Sequence, residues 1–152
     1  MGVPEAIKAA TQPEVIKDIR ETWEMVSGDK KNGVALMIKL FDMEQETISF
    51  FKRMGDLSDP WNNRKLNGHG ITLWYGIQNF VDQLDSPTDL EDVARKFAVT
   101  HIAREVGAIE FGWIKAPLAE FLRERLGDKC TDRHIDSWGK LIDVIRAVLC
   151  QI

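Results

Sequence analysis

A helical period is clearest in residues 65–84, KLNGHGITLWYGIQNFVDQL. The apolar residues in this stretch recur every three or four positions, which places them on one face of a helix of about six turns. That face carries Leu66, His69, Gly70, Leu73, Ile77, Phe80, Val81 and Leu84. Because His69 stands among apolar side chains rather than on the polar face, it is the first candidate for a functional residue.

A second histidine occupies the same kind of position on the next helix. The sequence SPTD at residues 86–89 predicts a helix start, with the serine as the cap, the proline at the first helical position and the aspartate completing a capping box. The helix that follows carries Leu90, Ala94, Phe97 and His101 on one face. Phe97 and His101 are four residues apart, so their rings are expected to lie one above the other. Two such antiparallel helices would turn His69 and His101 towards a shared space.

The rest of the chain has the same helical character. Further helices are predicted over residues 14–26, 30–43, 45–52, 111–122 and 138–149, with a short helical turn before the first. A loop is expected over residues 55–59, and no stretch has the alternation of a strand. The sequence therefore predicts a single all-α domain over residues 1–152, with about seven to eight helices.

Composition and charge exclude several classes of protein. A net charge of -4 with both signs interleaved offers no basic stripe for a nucleic acid. No run of about 18 apolar residues or signal-peptide pattern is present, which predicts a cytoplasmic protein without membrane contact. Cys130 and Cys150 form neither a CxxC nor a CxxCH pattern, so they are interpreted as ordinary thiols of a reducing compartment.

Two imidazoles on facing apolar surfaces admit two interpretations. In the simpler one, each is a core histidine that is hydrogen-bonded to a backbone carbonyl. In the other, they flank a haem, since a neutral imidazole binds iron and an apolar pocket slows its oxidation. Zinc fits less well because no cysteine, third histidine or HExxH pattern accompanies the pair. His134 lies in a polar connection and is expected to be a solvated surface residue or a helix-start residue.

Five stretches of the chain are informative when they are taken together. They are residues 32–37 (NGVALM), 50–53 (FFKR), 65–73 (KLNGHGITL), 78–85 (QNFVDQLD) and 96–102 (KFAVTHI). Together they resemble the globins of bivalve molluscs, the ark-clam haemoglobins in particular, and the resemblance covers nearly the full chain. It implies a globin fold around haem b and reversible binding of oxygen, with CO and NO as further ligands. It also implies a carrier for transport or storage rather than an enzyme.

The resemblance implies roles for individual residues. His101 would be the proximal ligand of the haem iron, and His69 would donate a hydrogen bond to bound oxygen. Phe51 would wedge against the porphyrin. Three more side chains would line the pocket: Met37, Leu73 and Phe97. Four polar ones would contact the haem propionates or a partner chain: Arg53, Asn79, Lys96 and Arg104.

Ark-clam globins pair through their two haem-carrying helices, so the resemblance implies a homodimer or a mixed assembly with a related chain. The implied interface residues are Lys30, Thr72, Asn79, Asp89 and Thr100, with Lys30 and Asp89 as an ion pair. In the family, ligand binding moves the phenylalanine that corresponds to Phe97 from the pocket towards the interface, which makes oxygen binding cooperative. The chain departs from the family pattern at Asn67, Trp74 and Thr100, positions expected at or near that interface.

Two alternatives to an oxygen carrier stay open at this point. One is a globin whose haem does redox work, such as nitric oxide dioxygenation or sensing, or in which His69 itself ligates the iron. The other is a haem-free helical interaction module. That module would explain the apolar stripes, but it would not explain why both histidines lie within them.

Overall fold

The computed structural model describes residues 1–152, and all of the regular structure is helical. The α-helices are α1 (Val3–Ala10), α2 (Pro13–Val26), α3 (Lys31–Met43), α4 (Arg64–Asp82), α5 (Pro87–Ile102), α6 (Ala108–Gly112), α7 (Lys115–Leu126) and α8 (Asp132–Gln151). Shorter 3₁₀ helices span Gln45–Met54, Pro60–Asn62 and Gly127–Lys129. The prediction of an all-α fold with seven to eight helices is confirmed. No helix is long and apolar enough to cross a membrane.

The core is built around α8, which packs against α1, α2, α5 and α6. Three tryptophans join α2, α4 and α8 inside it, because the ring of Trp23 lies 4.4 Å from that of Trp74 and 6.2 Å from that of Trp138. Each indole N–H donates a hydrogen bond, and the acceptors are Gln78, Ser27 and Thr22. Trp74 is only 4% exposed. Its ring is therefore not on the surface that a partner chain could contact, since a large ring with an internal acceptor is better accommodated in the core.

Helices α3 and α4 cross where neither backbone has room for a side chain. A Cβ added to Gly33 would overlap the carbonyl oxygen of Gly70, and a Cβ added to Gly70 would lie 2.6 Å from the backbone nitrogen of Val34. Neither helix can carry even an alanine at this crossing without moving. His69 precedes Gly70 directly, so the crossing brings this histidine close to the helix that carries Met37.

The predicted helix over residues 111–122 is two helices, α6 and α7, so that prediction is wrong. Pro117 explains the break, because it has no N–H to donate to the carbonyl four residues earlier and its ring crowds that carbonyl. Trp113 and Ile114 donate instead to carbonyls three residues earlier, which tightens the chain into a turn. Phe111 consequently lies on a short separate helix, and its ring contacts α5.

Other local predictions differ in detail. The N-terminal turn is a full helix of eight residues, and residues 45–52 lie within a 3₁₀ helix whose backbone departs from helical values at Phe51 (φ -118°, ψ 28°). Ser86 does precede α5, but its side chain makes no capping hydrogen bond, so the predicted capping box is wrong. The third residue of a capping box is normally Glu or Gln, and the shorter Asp89 does not reach back.

We expect Gly33→Ala and Gly70→Ala each to lower the free energy of unfolding by about 2–3 kcal/mol, because the added methyl group forces α3 and α4 apart. Urea unfolding curves would measure the loss. Gly68→Ala is the matched control on α4, since nothing lies within 4 Å of a Cβ there. That change is expected to raise stability by about 0.5–1 kcal/mol through helix propensity. Equal effects at the three positions would contradict this account of the crossing.

Candidate functional site

His101 lies near the end of α5 with its ring held in one orientation. Its Nδ1 is 2.9 Å from the backbone carbonyl oxygen of Phe97. Since a carbonyl only accepts, Nδ1 must donate, and the neutral ring then carries its lone pair on Nε2. The ring also stacks on that of Phe97 at 4.0 Å between centroids and meets the edge of Phe111 at 5.5 Å. The arrangement leaves a metal-binding nitrogen with a fixed tautomer.

Helix α5 ends immediately after His101 in a tight turn. The N–H of Val106 donates to the carbonyl of His101 at 3.0 Å, and the N–H of Glu105 donates to that of Ile102 at 3.0 Å. This is the hydrogen-bond pattern that terminates many helices, and it requires a left-handed residue where glycine is usual. Glu105 takes that conformation, with φ at 64°, which costs a non-glycine residue about 1–2 kcal/mol. The C-terminal end of the helix that carries His101 is therefore capped by backbone hydrogen bonds.

His69 is half-buried on α4, and its ring meets the edge of Phe51 at 5.3 Å between centroids. Phe51 packs in the same way against Phe41 of α3, at 5.1 Å. Both rings belong to an apolar cluster in which Met37 is buried and Leu73 packs alongside. The imidazole of His69 makes no hydrogen bond within the chain, so its N–H remains available to a ligand.

Burial lowers the pKa of both His69 and His101. The guanidinium of Arg104 lowers both pKa values further, whereas the hydrogen bond to the Phe97 carbonyl partly offsets the effect at His101. Proximity to His101 also contributes to the lowered pKa of His69. Both imidazoles are accordingly neutral near pH 7, the form that binds a transition metal.

An apolar cavity lies in the core, and its lining includes neighbours of the two histidines but neither histidine itself. Twelve of its 13 lining residues are hydrophobic, and the remaining one is Gly76. Leu73, one turn after His69, and Phe97, one turn before His101, both contribute to the lining. The site therefore combines a dry interior with two neutral imidazoles, a donor set that suits a largely apolar group with a metal at its centre.

The residues predicted to line the pocket are brought together. Met37, Phe51 and Leu73 share the cluster beside His69, and Phe97 packs on His101. Sequence reasoning missed a further pocket residue, Phe111, which contacts both Phe97 and His101. The available signal was its place as the first aromatic residue after the loop that follows His101.

The charged and interface residues lie on the surface. All eight are exposed: Lys30, Arg53, Thr72, Asn79, Asp89, Lys96, Thr100 and Arg104. None of the five charged members forms an ion pair within the chain, so Lys30 and Asp89 are not partners inside one subunit. Thr72 and Thr100 donate only to carbonyls of their own helices. These side chains are free to contact a cofactor edge or a partner chain.

His134 is buried, at 4% exposure, so the expectation of a solvated residue is wrong. The alternative, a helix-start residue, is confirmed, because His134 is the third residue of α8 and forms a capping box with Thr131. Its Nδ1 accepts the Thr131 N–H at 3.0 Å, and its Nε2 faces Glu21 and Asp18 of α2. It is not part of the site around His69 and His101.

Comparison with known proteins gives a consistent match. A globin family profile matches residues 34–149. The chain is 49% identical to "Globin-1" of Anadara inaequivalvis over 96% of this chain and 100% of that one. It is 47% identical to "Globin-2B" of Anadara trapezia over the same shares. It is also 40% identical to "Globin-1 subunit beta" of Anadara trapezia, over 86% of this chain and 87% of that one.

The lowered pKa of His69 predicts a loss of stability in mild acid. Between the lowered pKa and the ordinary value of 6.5, the unfolded chain binds a proton that the folded chain does not. The free energy of unfolding therefore falls as pH decreases below about 6.5. We expect His69→Gln to lose less stability than the unsubstituted chain between about pH 7.5 and 5.5, measured by urea unfolding without haem. Equal losses would contradict the assignment of this pKa.

Proposed function

The chain belongs to the globin family, and from that premise we propose that it binds haem b non-covalently and takes up oxygen reversibly. The observation that carries the proposal is the hydrogen bond from His101 Nδ1 to the Phe97 carbonyl at 2.9 Å. It leaves Nε2 of the neutral ring free to bind iron, as a proximal ligand requires, and Phe97, on which the ring stacks, lines the apolar cavity. Haem iron in this cavity would supply reversible binding of a diatomic gas.

The two histidines would have different roles. His101 would hold the iron, because its tautomer and its orientation are fixed by Phe97 and Phe111. His69 would donate a hydrogen bond to oxygen, since its N–H has no partner within the chain. Met37, Phe51 and Leu73 would exclude water from the gas-binding side. Arg104, which lowers the pKa of both imidazoles and is exposed, would pair with the acidic edge of a haem.

Transport or storage fits the cavity better than catalysis does. Redox chemistry on a bound gas needs a source of protons or electrons, and the cavity lining offers only hydrophobic residues and one glycine. The two histidines are its neighbouring polar groups. CO and NO would bind where oxygen does, because they too are small diatomic molecules. A reducing cytoplasmic setting agrees with the two free cysteines.

We further propose that the chain assembles with a second globin chain through α4 and α5. One Anadara relative is named as a subunit. Both helices carry exposed apolar residues beside their polar ones, since Tyr75 is 64% exposed and Val99 is 59% exposed. Lys30 and Asp89, which lack partners within the chain, would pair across the interface. Rim pairs of this kind contribute about 0–1 kcal/mol each and would fix register more than affinity.

Phe97 is the residue through which two haems would be coupled. Its ring lies inside the pocket, where it contacts Phe80, His101 and Phe111. The exposed neighbours on the same helix, Lys96 and Thr100, lie on the proposed interface. A ligand-driven movement of the Phe97 ring out of the pocket would alter that interface and the partner site. Coupling of this kind is typically worth about 1–3 kcal/mol between sites.

Two substitutions test which histidine binds the iron and which one contacts the gas. His101→Gly should abolish stable haem retention, because it removes the iron ligand. His69→Val should retain haem while releasing oxygen about tenfold faster, the equivalent of one lost hydrogen bond of roughly 1.4 kcal/mol, and while oxidising faster. Visible absorption and rapid-mixing kinetics would measure both. Identical behaviour of the two variants would contradict the proposed roles.

The spectrum of the reduced, gas-free protein separates the remaining alternatives. No Soret band after haem addition would refute haem binding and favour an interaction module. A six-coordinate spectrum would favour direct ligation by His69 and a redox or sensing role. A five-coordinate spectrum is the expected result, since the proposed role of His69 is to contact the gas and not to bind the iron.

Oxygen equilibrium curves test the coupling. We expect a Hill coefficient above one for a confirmed dimer, and a coefficient closer to one for Phe97→Leu. Phe111→Leu is the matched control, because it removes a ring from the same aromatic cluster but lies outside α4 and α5. A coefficient near one for the unsubstituted dimer would rule out the coupled mechanism.

A further inference from the structure

We propose that Asp18, Glu21 and His134 form a second metal site, which binds a divalent transition ion between α2 and α8. The proposal does not depend on haem or oxygen binding, because none of the three residues contacts the site around His69 and His101. Asp18 and Glu21 lie three positions apart on α2, so their side chains leave the same face of that helix. His134 meets them from the first turn of α8.

The distances suit a single ion. His134 Nε2 lies 3.3 Å from Glu21 Oε2 and 3.9 Å from Asp18 Oδ1. One donor atom from each residue lies within 4.8 Å of the others. Zinc ligands at bond lengths of about 2.0–2.1 Å in a tetrahedron are separated by about 3.3 Å. Glu21 Oε2 is already at that separation from His134 Nε2, and a bound ion would have to draw Asp18 Oδ1 and His134 Nε2 together from 3.9 Å to about 3.3 Å.

Burial fixes two of the ligands and leaves the third open to solvent. The Asp18 side chain is 4% exposed and that of His134 is 6% exposed, whereas that of Glu21 is 50% exposed. Asp18 is oriented by the Ser137 hydroxyl at 2.9 Å and by the Arg133 guanidinium at 3.1 and 3.2 Å. Arg133 extends into solvent and neutralises only one of the two carboxylates. An ion would therefore enter past Glu21. The two carboxylates and one guanidinium would leave a net charge of one negative unit to attract it.

The histidine can present Nε2 to an ion only if its proton moves to Nδ1. In the capping box, Nδ1 accepts the N–H of Thr131, so Nε2 carries the proton and donates to Glu21. Thr131 Oγ1 lies 2.9 Å from Nδ1 and can accept a proton placed there. The tautomer change keeps the number of protons on the ring constant. The Thr131 N–H loses its acceptor, and Nδ1 donates to Thr131 Oγ1 instead, which orients the ring as in most metal-binding histidines.

The donor set favours a transition ion over a hard cation. Imidazole nitrogen binds Zn²⁺ well, whereas Ca²⁺ prefers six or more oxygen ligands. Three protein ligands leave at least one coordination position for water, because Glu21 faces solvent. We therefore use Zn²⁺ as the probe and Ca²⁺ as the comparison.

Calorimetric titration of the haem-loaded full chain with Zn²⁺ tests the site. The exposed Cys150 is itself a potential zinc ligand, so the titration uses a Cys150→Ser background. We expect one Zn²⁺ per chain with micromolar affinity and no binding of Ca²⁺ in the same range. His134→Gln should weaken the binding at least tenfold. Glutamine is a standard third residue of a capping box, so this variant keeps the start of α8 intact while it removes the imidazole.

Glu21→Gln and Glu24→Gln form a matched pair on α2. Glu24 is exposed and is not one of the three ligands, so its substitution should leave zinc affinity unchanged, whereas Glu21→Gln should weaken it at least tenfold. The proposal is overturned if Zn²⁺ does not bind, if Ca²⁺ binds as tightly, or if His134→Gln binds zinc unchanged. Equal losses in the two glutamate variants would also overturn it, because they would indicate general charge attraction.

Discussion

The close crossing of α3 and α4 is the constraint on which the site depends. Gly33 and Gly70 let the two backbones touch, and no larger residue fits at either position. The crossing fixes where α4 runs, and His69 is the residue immediately before it. It also brings Met37 and Phe41 of α3 within the cluster that His69 and Phe51 share. A wider separation would open the apolar side of the pocket to water and leave His69 without a defined position.

The position of His101 on α5 depends on a different interaction, the hydrogen bond between its ring and the Phe97 carbonyl. One contact sets the tautomer, the stacked rings set the orientation, and the turn at Glu105 closes the backbone behind them. The two histidines are thus held in unequal ways. His101 is fixed by its own helix, whereas His69 is placed by packing alone, and this difference supports the separate roles proposed for them.

Periodicity in the sequence predicted most helices and the apolar faces that hold both histidines, because burial of a helix face leaves a local pattern every three or four residues. It failed where the outcome depended on distant partners. It did not predict that the ring of Trp74 packs on Trp23 of α2. His134 lies in a polar stretch of sequence, yet α2 covers it. The missed helix break before Pro117 was a local error, since proline carries that signal in the sequence itself.

The sequence by itself determined the all-α architecture, the family resemblance and the place of His69 and His101 on apolar helix faces, since these depend on residue types and short-range spacing. The tertiary structure decided which neighbours those histidines have, that both are neutral, and that Phe111 belongs to the pocket. It also brought Asp18 and Glu21 to His134, which lies more than a hundred residues further along the chain. Contacts between residues that are distant in the sequence follow from the packing of whole helices. The spacing of residues along one helix does not encode them.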